Sequence, residues 1–291
     1  MKAYSLAWGK HRLDFGQKTC IMGVLNVTPD SFSDGGQFFT FNDAVAQGYK
    51  LFENGADILD IGGESTRPFS DPVSEEEEIL RVVPVIETLS KRIPIPISVD
   101  TTKSGVAEQA IKAGASMIND VSSLSFDPEM ANIAVYYGVP VILMHMLGKP
   151  KTMQVEPFYD DLINEIKTFL DNAIDLAVNK GISRSKIIID PGIGFGKTVG
   201  HNLLLIQRLH EFKTLKVPIM IGTSRKAFIR HLLKDNTVED INTDSAMVES
   251  GTQASVAAAI LNGAHIVRVH NVANTRVTVK IIDAIKNAQN F

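Results

Sequence analysis

Short apolar runs recur along the whole chain, and each of them ends in a polar or charged residue. Isoleucine, valine and methionine dominate these eight runs, which are too short for helices and are therefore predicted to be strands. Their predicted bounds are 20–25, 57–61, 95–99, 116–121, 140–144, 187–189, 218–222 and 264–269. Helix-length segments separate them, as in parallel sheets covered by helices. We predict an α/β fold, a (β/α)8 TIM barrel, with one site at the carboxyl ends of its strands.

The remaining segments complete the predicted organisation. Residues 4–15 alternate in polarity around Gly9, which predicts a short N-terminal β-hairpin. The glutamates at 75–78 follow Ser74 with capping-box spacing and are predicted to form the solvated first turn of a helix. Because no linker or abrupt change of composition appears, we predict a single domain over residues 1–291. Further helices are predicted at 159–180, 244–262 and 274–288.

Charge and cysteine content limit the partners and the compartment. The chain has 29 Lys and Arg residues against 33 Asp and Glu residues, a net charge of −4, so no basic surface favours nucleic acid or a membrane. The N-terminus lacks the apolar stretch of a signal peptide, and no run approaches the ~18 apolar residues of a membrane span. The single cysteine, Cys20, is expected to be a buried apolar residue rather than a nucleophile. We expect a reducing, cytoplasmic compartment.

Two long loops follow the first two predicted strands, at about 26–41 and 62–73. Loops of this length over a barrel mouth often act as lids. The first combines the amide of Asn26 with the carboxylates of Asp30 and Asp34, which suits a hard cation or a cation formed during a reaction. An ordinary turn rich in proline, glycine and aspartate is the alternative. The second contains two glycines and an arginine, which can approach and pair with an anionic ligand.

Acidic and amide side chains end the middle strands. Asp100 ends the third strand and Asn119-Asp120 ends the fourth, and each of these residues by itself, Asp100 and Asp120 above all, could instead cap the following helix. Asp190 ends the sixth strand, before glycines whose spacing fits neither nucleotide-binding loop. We interpret these glycines as room for a flat ring to approach, with Phe195 to stack on it. His145, at the end of the fifth strand, is more consistent with the wall of an apolar pocket than with a catalytic residue.

Basic residues end the last two strands. Lys226 follows the seventh strand, and TIM barrels commonly bind phosphate with the loops after strands seven and eight. Arg268 and His270, at the end of the eighth strand, are two residues apart and share a face. A buried arginine with structural partners is the alternative for Arg268. The acidic half of the predicted site, formed by Asp100, Asn119 and Asp190, suits the donor edge of an aminopyrimidinone ring. The basic half, formed by Lys226, Arg268 and His270, suits a pyrophosphate, on which Asn26 could hold Mg²⁺.

These segments resemble the dihydropteroate synthase family. The motifs that carry the resemblance are NVTPDSFSDGG (26–36), DIGGESTRP (60–68), ISVDT (97–101), INDVS (118–122), MHM (144–146), IDPGIGFGK (189–197), TSRK (223–226) and RVH (268–270). They cover every predicted strand end. The resemblance implies the condensation of 6-hydroxymethyl-7,8-dihydropterin pyrophosphate with p-aminobenzoate in folate biosynthesis, giving 7,8-dihydropteroate and pyrophosphate. Because the pyrophosphate leaves from a methylene group on an electron-rich ring, our hypothesis is a dissociative step through a pterin cation.

The resemblance also implies which residues form the site. It places the pterin pyrophosphate on Thr66, Asp100, Asn119, Met144, Asp190, Phe195, Lys226, Arg268 and His270. It places p-aminobenzoate, and sulfonamide inhibitors, on Phe32, Thr66, Pro68 and Phe195. Asn26 is the residue implied to touch Mg²⁺. Asp30, Asp34 and Lys226 are the predicted catalytic residues, of which either aspartate could stabilise the pterin cation.

Some features leave alternatives open. Ala227, Asn271 and Phe69 stand where the family usually has serine, aspartate and glycine. A methyltetrahydrofolate-dependent methyltransferase would share the acidic half but would not need the pyrophosphate-binding residues. A pterin-binding protein without catalysis is a further alternative. A homodimer through the helices at 244–262 and 274–288 is expected from their many small and apolar residues, and tight packing of these helices on the barrel is the alternative.

Overall fold

The computed structural model describes residues 4–28, 40–65, 72–148, 152–234 and 240–288. Strands β1 (Tyr4–Trp8) and β2 (His11–Phe15) form an antiparallel hairpin. Gly9 in the connecting turn has a φ of +51°, a conformation that glycine adopts without steric cost. The predicted hairpin is therefore confirmed.

Eight parallel strands follow within the described residues. They are β3 (Cys20–Asn26), β4 (Ile58–Gly62), β5 (Ile97–Asp100), β6 (Met117–Asp120), β7 (Val141–Met144), β8 (Ile187–Asp190), β9 (Met220–Ile221) and β10 (Ile266–Val269). Their order is β8-β7-β6-β5-β4-β3-β10-β9. The Ile189 amide donates to the Pro218 carbonyl at 3.0 Å, which joins β8 to the segment before β9 and closes the ring. The predicted TIM barrel is confirmed, whereas the single domain over 1–291 stays a prediction.

Helices cover the outside of the barrel. The described ones are α1 (Phe41–Glu53), α2 (Glu75–Ser90), α3 (Ser104–Lys112), α4 (Met130–Tyr137), α5 (Leu162–Asn179), α6 (Val199–Gln207), α7 (Ala227–Leu233), α8 (Ala246–Leu261) and α9 (Val272–Lys286). Two 3-10 helices, Arg184–Lys186 and Leu209–Leu215, precede β8 and β9. Several α-helices begin where a serine, threonine or aspartate accepts a backbone N–H of the first turn, as Thr40 and Ser74 do. None of the helices in the described ranges is long and apolar enough to cross a membrane.

Successive side chains along each strand point alternately out of and into the barrel, so the apolar residues form two separate cores. Outward-facing residues such as Leu59, Val99 and Ile118 pack against the helices. Inward-facing residues near the amino-terminal ends of the strands pack with Leu6 and Trp8 of the hairpin. Each large apolar side chain buried in this way contributes roughly 1.5–3 kcal/mol. The hairpin thus closes the lower end of the barrel, and the polar inward-facing residues lie at the upper, carboxyl end.

The first turn of α2 differs from its prediction at one residue. Glu75, Glu76 and Glu77 are exposed as expected, but the Glu78 side chain is only 1% exposed. It packs under Gly63, whose added Cβ would lie 3.0 Å from Glu78 Cγ. Lys103, which follows β5, pairs with Glu78 at 2.5 Å and makes this burial tolerable. The prediction of a wholly solvated acidic turn is therefore wrong for Glu78.

Candidate active site at the carboxyl end of the barrel

A cavity of about 350 Å³, open to solvent, lies at the carboxyl end of the barrel. Its lining residues are Asp100, Asn119, Val121, Met144, Asp190, Ile193, Phe195, Met220, Gly222, Lys226 and Arg268. Most of the described residues that the sequence predicts for the pterin pyrophosphate therefore line one cavity.

One guanidinium joins two carboxylates beneath this cavity. Arg268 Nε donates to Asp60 Oδ2 at 2.6 Å, and Arg268 Nη2 donates to Asp100 Oδ2 at 2.6 Å. Asn119 Nδ2 donates to the same Asp60 oxygen at 3.0 Å. Asp60, which is fully buried, was not among the predicted site residues. Its charge within the apolar run of β4 is the sequence signal that marks Asp60 as unusual, although that signal does not identify Arg268 as its partner.

Three acceptor oxygens in this group have no partner. Within the described residues, Asp60 Oδ1, Asp100 Oδ1 and Asn119 Oδ1 are buried and lack a hydrogen-bond partner. An unpaired buried acceptor costs roughly 1–3 kcal/mol, and such a cost is tolerated at sites where a ligand supplies the donor. Two of the three, on Asp100 and Asn119, belong to residues that line the cavity. The acidic half therefore offers acceptors to a ligand that carries N–H donors.

Burial changes the ionisation of these carboxyls. Desolvation raises the pKa of Asp100, and the Arg268 charge opposes part of that rise. Desolvation also raises the pKa of Asp190, while the Gly192 N–H, which donates to Asp190 Oδ1 at 2.7 Å, opposes it. Burial lowers the pKa of Arg268, but the charges of Asp60 and Asp100 raise it by more, so the guanidinium stays charged.

Asp120 lies next to the site in sequence but belongs to the structure of a loop. Its position on β6 points away from the barrel interior, on the opposite face from Asn119. Asp120 Oδ1 accepts the Ser122 N–H at 2.8 Å, and Oδ2 accepts the Leu124 N–H at 2.7 Å. Asp120 therefore holds the backbone of the loop after β6 and is not the N-cap of α4, which begins at Met130.

The turn after β8 is held in place by its glycines. Gly192, Gly194 and Gly196 have φ values of +73°, +80° and +66°. A Cβ on Gly192 would lie 1.9 Å from the His145 carbonyl oxygen, and one on Gly196 would lie 2.5 Å from Leu147 Cβ. These glycines therefore allow the turn to pack on the loop after β7. Gly192 and Gly196 are thus required for this packing, and the interpretation that the glycines also make room for a ligand ring stays a prediction.

Phe195 reaches the cavity from this turn. The Lys226 Nζ atom lies 4.1 Å from the centroid of the Phe195 ring, a cation–π contact. Phe195 packs in an apolar cluster with Val121, Met144, Met146 and Met153. The predicted walls Met144 and Phe195 thus form one side of the cavity.

His145 lies behind this wall rather than in it. It does not line the cavity, and its ring packs edge-on against Phe169 with centroids 4.8 Å apart. Desolvation and the nearby Lys197 charge lower the pKa of His145 to about 2, so the imidazole is neutral. The prediction that His145 forms an apolar pocket wall is wrong in position, although burial among apolar neighbours is correct.

The basic half has its own hydrogen bonds. Ser224 Oγ and His270 Nδ1 lie 3.0 Å apart, and the His270 backbone N–H donates to Ser224 Oγ at 3.3 Å. Lys226 extends from the same loop over Phe195. Arg268, predicted to act with His270 on an anion, directs two donors to the carboxylates instead, so it lies at the junction of the two halves. Its role toward pyrophosphate stays a prediction.

Several predicted residues lie outside the described part of the chain. They are Asp30, Phe32, Asp34, Thr66, Pro68 and Phe69. Asn26, the predicted magnesium ligand, is the last residue of β3 and is half-buried at the carboxyl end of the barrel. Among the residues described, no cluster of three or more His, Cys, Asp or Glu side chains could hold a metal. A single amide oxygen fits an ion whose remaining ligands are phosphate oxygens and water, as Mg²⁺ prefers.

Comparison with known proteins identifies the family. Residues 22–270 match the family model described as pterin binding enzyme. The chain is 44% identical over 277 residues to the dihydropteroate synthase of Synechocystis sp., covering 95% of this chain and 93% of the relative. The chain belongs to the dihydropteroate synthase family.

Solved structures of dihydropteroate synthases have the same fold. The Yersinia pestis dihydropteroate synthase in a sulfonamide drug complex has a TM-score of 0.90 and 40% identity, covering 98% of this chain and 99% of that one. The Xanthomonas albilineans dihydropteroate synthase in complex with 7,8-dihydropteroate has a TM-score of 0.81 and 39% identity, covering 94% and 96%. Both span nearly the full length of this chain, which favours the synthase over the methyltransferase or a non-catalytic pterin-binding protein.

The departures from the dihydropteroate synthase pattern differ in their consequences. Asn271 is the N-cap of α9, and its side chain accepts the Asn274 N–H at 3.1 Å. Asparagine and aspartate are about equally good N-caps, so this helix start is preserved. Ala227 is the exposed first residue of α7, and nothing in the structure explains its replacement of serine.

Proposed function

We propose that this chain condenses 6-hydroxymethyl-7,8-dihydropterin pyrophosphate with p-aminobenzoate, giving 7,8-dihydropteroate and pyrophosphate. Membership of the dihydropteroate synthase family over nearly the full chain supports the reaction class. The observation that carries the proposal is the group of unpaired buried acceptors on Asp60, Asp100 and Asn119 beside the basic residues of β10 and the loop after β9. A bicyclic ring with N–H donors and an anionic tail matches this arrangement.

The acidic half would recognise the pterin ring. Asp100 Oδ1 and Asn119 Oδ1, which are buried without a hydrogen-bond partner, would accept from the amino and ring N–H groups, much as carboxylates accept from the amino groups of bases. Asp190 adds a third oxygen-bearing side chain, fixed in orientation by the Gly192 N–H. Lys226 supplies a donor for the ring carbonyl or nitrogen. The acceptors distinguish an aminopyrimidinone from a ring without donors, because the latter would leave them unpaired.

The basic half would bind and stabilise the leaving group. Ser224 and His270, joined at 3.0 Å, and Lys226 present donors to the pyrophosphate oxygens. Fixed donors aimed at a developing negative charge lower the barrier to its departure. Asn26 is the residue that would hold a Mg²⁺ ion carried on the pyrophosphate, and such an ion supplies charge neutralisation there.

We propose a dissociative order of bond changes. The bond between the pterin methylene carbon and the bridging oxygen breaks first, and its electron pair leaves with the pyrophosphate. The electron-rich dihydropterin ring delocalises the resulting positive charge, beside the carboxylates of Asp100 and Asp190. The arylamine nitrogen then attacks the methylene carbon and loses a proton, so no strong base is needed. Asp30 and Asp34 stay predicted as further stabilisers of the cation, and Asp34→Ala should slow pyrophosphate release.

Positional isotope exchange tests this order. The pterin pyrophosphate, labelled with ¹⁸O at the bridging position, is incubated with the protein and Mg²⁺ but without p-aminobenzoate. Reversible ionisation predicts migration of the label to the non-bridging positions of the same phosphorus, suppressed when saturating amine is added. Absence of exchange, together with release of pyrophosphate only when the amine is present, would indicate direct displacement. The complete mixture should yield dihydropteroate and pyrophosphate in equal amounts, and no product would reject the synthase function itself.

Sulfonamides and a second subunit are proposed as partners. The sulfonamide complex of the Yersinia pestis relative supports occupation of the amine side of this site by the same drugs.

For the homodimer, α8 and α9 carry exposed apolar side chains, of which Met247 is 54%, Val277 65% and Ile281 56% exposed. Ile281→Glu should convert a dimer to a monomer in light scattering, and a wild-type monomer would reject the dimer.

A further inference from the structure

Lys197 is a lysine buried immediately after the turn that carries Phe195. Its residue is 3% exposed, and no ion pair joins it to a carboxylate in the described part of the chain. Lys197 Nζ lies 2.9 Å from the Phe195 carbonyl oxygen and 3.0 Å from His145 Nδ1. Burying an ammonium group without a paired charge is costly. Lys197 can occupy this position because its N–H groups donate to these two acceptors.

His145 is suited to be the acceptor of this lysine. The imidazole is neutral, so Nδ1 can accept from Lys197 while the ring packs on Phe169. The His145 carbonyl oxygen lies 3.5 Å from the same Nζ. Gly192 approaches that carbonyl closely enough that any Cβ would overlap it. One lysine thus joins the end of β7 to the turn after β8.

The two joined segments carry the two apolar walls of the cavity. Met144 directly precedes His145, and Phe195 supplies the carbonyl to which Lys197 donates. The Phe195 ring in turn supports the Lys226 ammonium at 4.1 Å. By contrast, the unpaired acceptors on Asp60, Asp100 and Asn119 lie on β4, β5 and β6, and among the described residues none of them is hydrogen-bonded to Lys197.

We propose that Lys197 is a positioning residue for the aromatic amine. By donating to the Phe195 carbonyl and to His145, it sets the orientation of the Phe195 ring. The inference rests on the proposed function and on the predicted position of Phe195 at the p-aminobenzoate side of the site. Loss of these donors should therefore weaken the use of the amine more than the binding of the pterin.

Lys197→Met tests the proposal because it keeps the aliphatic stem and removes the donors. The KM for p-aminobenzoate should rise about 10-fold or more, a change of about 1.4 kcal/mol at 25 °C. The Kd of 6-hydroxymethyl-7,8-dihydropterin pyrophosphate, titrated calorimetrically without amine, should stay within about 2-fold, since the β4–β6 acceptors are untouched. Lys186→Met is the matched control, because Lys186 also donates to a carbonyl, that of Gly138 at 2.6 Å, at the other end of β8. It should change neither constant.

A second pair of variants separates positioning from general destabilisation. His145→Gln keeps an acceptor for Lys197 and should keep the amine KM near that of the wild type, whereas His145→Phe should raise it. Equal weakening of amine and pterin in Lys197→Met, or an unchanged amine KM, would overturn the proposal. A wild-type protein that forms no product would instead contradict the synthase function, so the two failures are distinguishable.

Discussion

Arg268 and Asp60 form an ion pair inside the barrel, with Arg268 Nε 2.6 Å from Asp60 Oδ2. Removing one partner of a buried pair leaves an uncompensated charge and typically costs about 3–5 kcal/mol. Asp60→Asn should therefore lower the free energy of unfolding by about 3 kcal/mol and reduce kcat/KM, because Arg268 loses an anchor. Urea denaturation and steady-state kinetics measure both effects.

Asp57→Asn is the control for this change. Asp57 pairs with Lys18 and lies just before β4, at the amino-terminal end of the barrel. Its loss should lower stability while leaving kcat/KM near the wild-type value. An Asp60→Asn variant with unchanged stability and turnover would show that the ion pair with Arg268 has no role.

Asp120 should be needed for the stability of the fold but not for the binding of the pterin pyrophosphate. Asp120→Asn replaces an acceptor of two backbone N–H groups on the outer side of β6, so it should cost roughly 1–3 kcal/mol of stability. The affinity for the pterin pyrophosphate should not change, because Asp120 points away from the cavity. Thermal unfolding and calorimetric titration test this, and a tenfold weaker pterin affinity in Asp120→Asn would contradict the assignment.

Gly192→Ala should distort the turn after β8. The residue has a φ of +73°, and the new methyl group would lie 1.9 Å from the His145 carbonyl oxygen. The left-handed conformation alone costs roughly 1–2 kcal/mol for a residue with a Cβ, and the overlap adds to it. Gly200→Ala, in α6 with no atom closer than 3.9 Å, should be neutral or slightly stabilising. Similar unfolding midpoints for the two variants would disprove the constraint at Gly192.

Lys197 should make stability depend on pH. Burial lowers the pKa of its ammonium from 10.5 to about 7. Between these values the unfolded chain binds one more proton than the folded protein, so the free energy of unfolding should rise with pH. The slope for one proton is about 1.4 kcal/mol per pH unit. Urea unfolding of the wild type and Lys197→Met at pH 7.5 and 9 isolates this contribution, and parallel pH dependences would contradict it.

The strands and the position of the site follow from local pattern. Runs of β-branched residues with polar ends predict parallel strands, and eight of them predict where the polar residues meet. Asp100, Asn119 and Asp190 were correctly expected to come together, because the carboxyl ends of all strands lie on one side of the barrel.

The contacts that the sequence could not predict join residues that are far apart in the chain and meet only in the folded barrel. Asp60 gains its role only when β10 is placed beside β3, which brings Arg268 across from β4. Lys197 lies beyond the strand end and becomes buried because the glycines turn the chain back onto β7. Glu78 is buried because Lys103, from the next strand–helix connection, compensates its charge. Each depends on a partner that local periodicity does not identify.

The division of the site into a ring-binding half and an anion-binding half is tested most directly by titrating two fragments into two variants. Calorimetry would measure the binding of 6-hydroxymethylpterin and of pyrophosphate with Mg²⁺ to Asp100→Asn and His270→Ala. Asp100→Asn should weaken the pterin about 10-fold or more and leave pyrophosphate within about 2-fold, and His270→Ala should do the reverse. Equal weakening of both fragments by each variant would contradict the division.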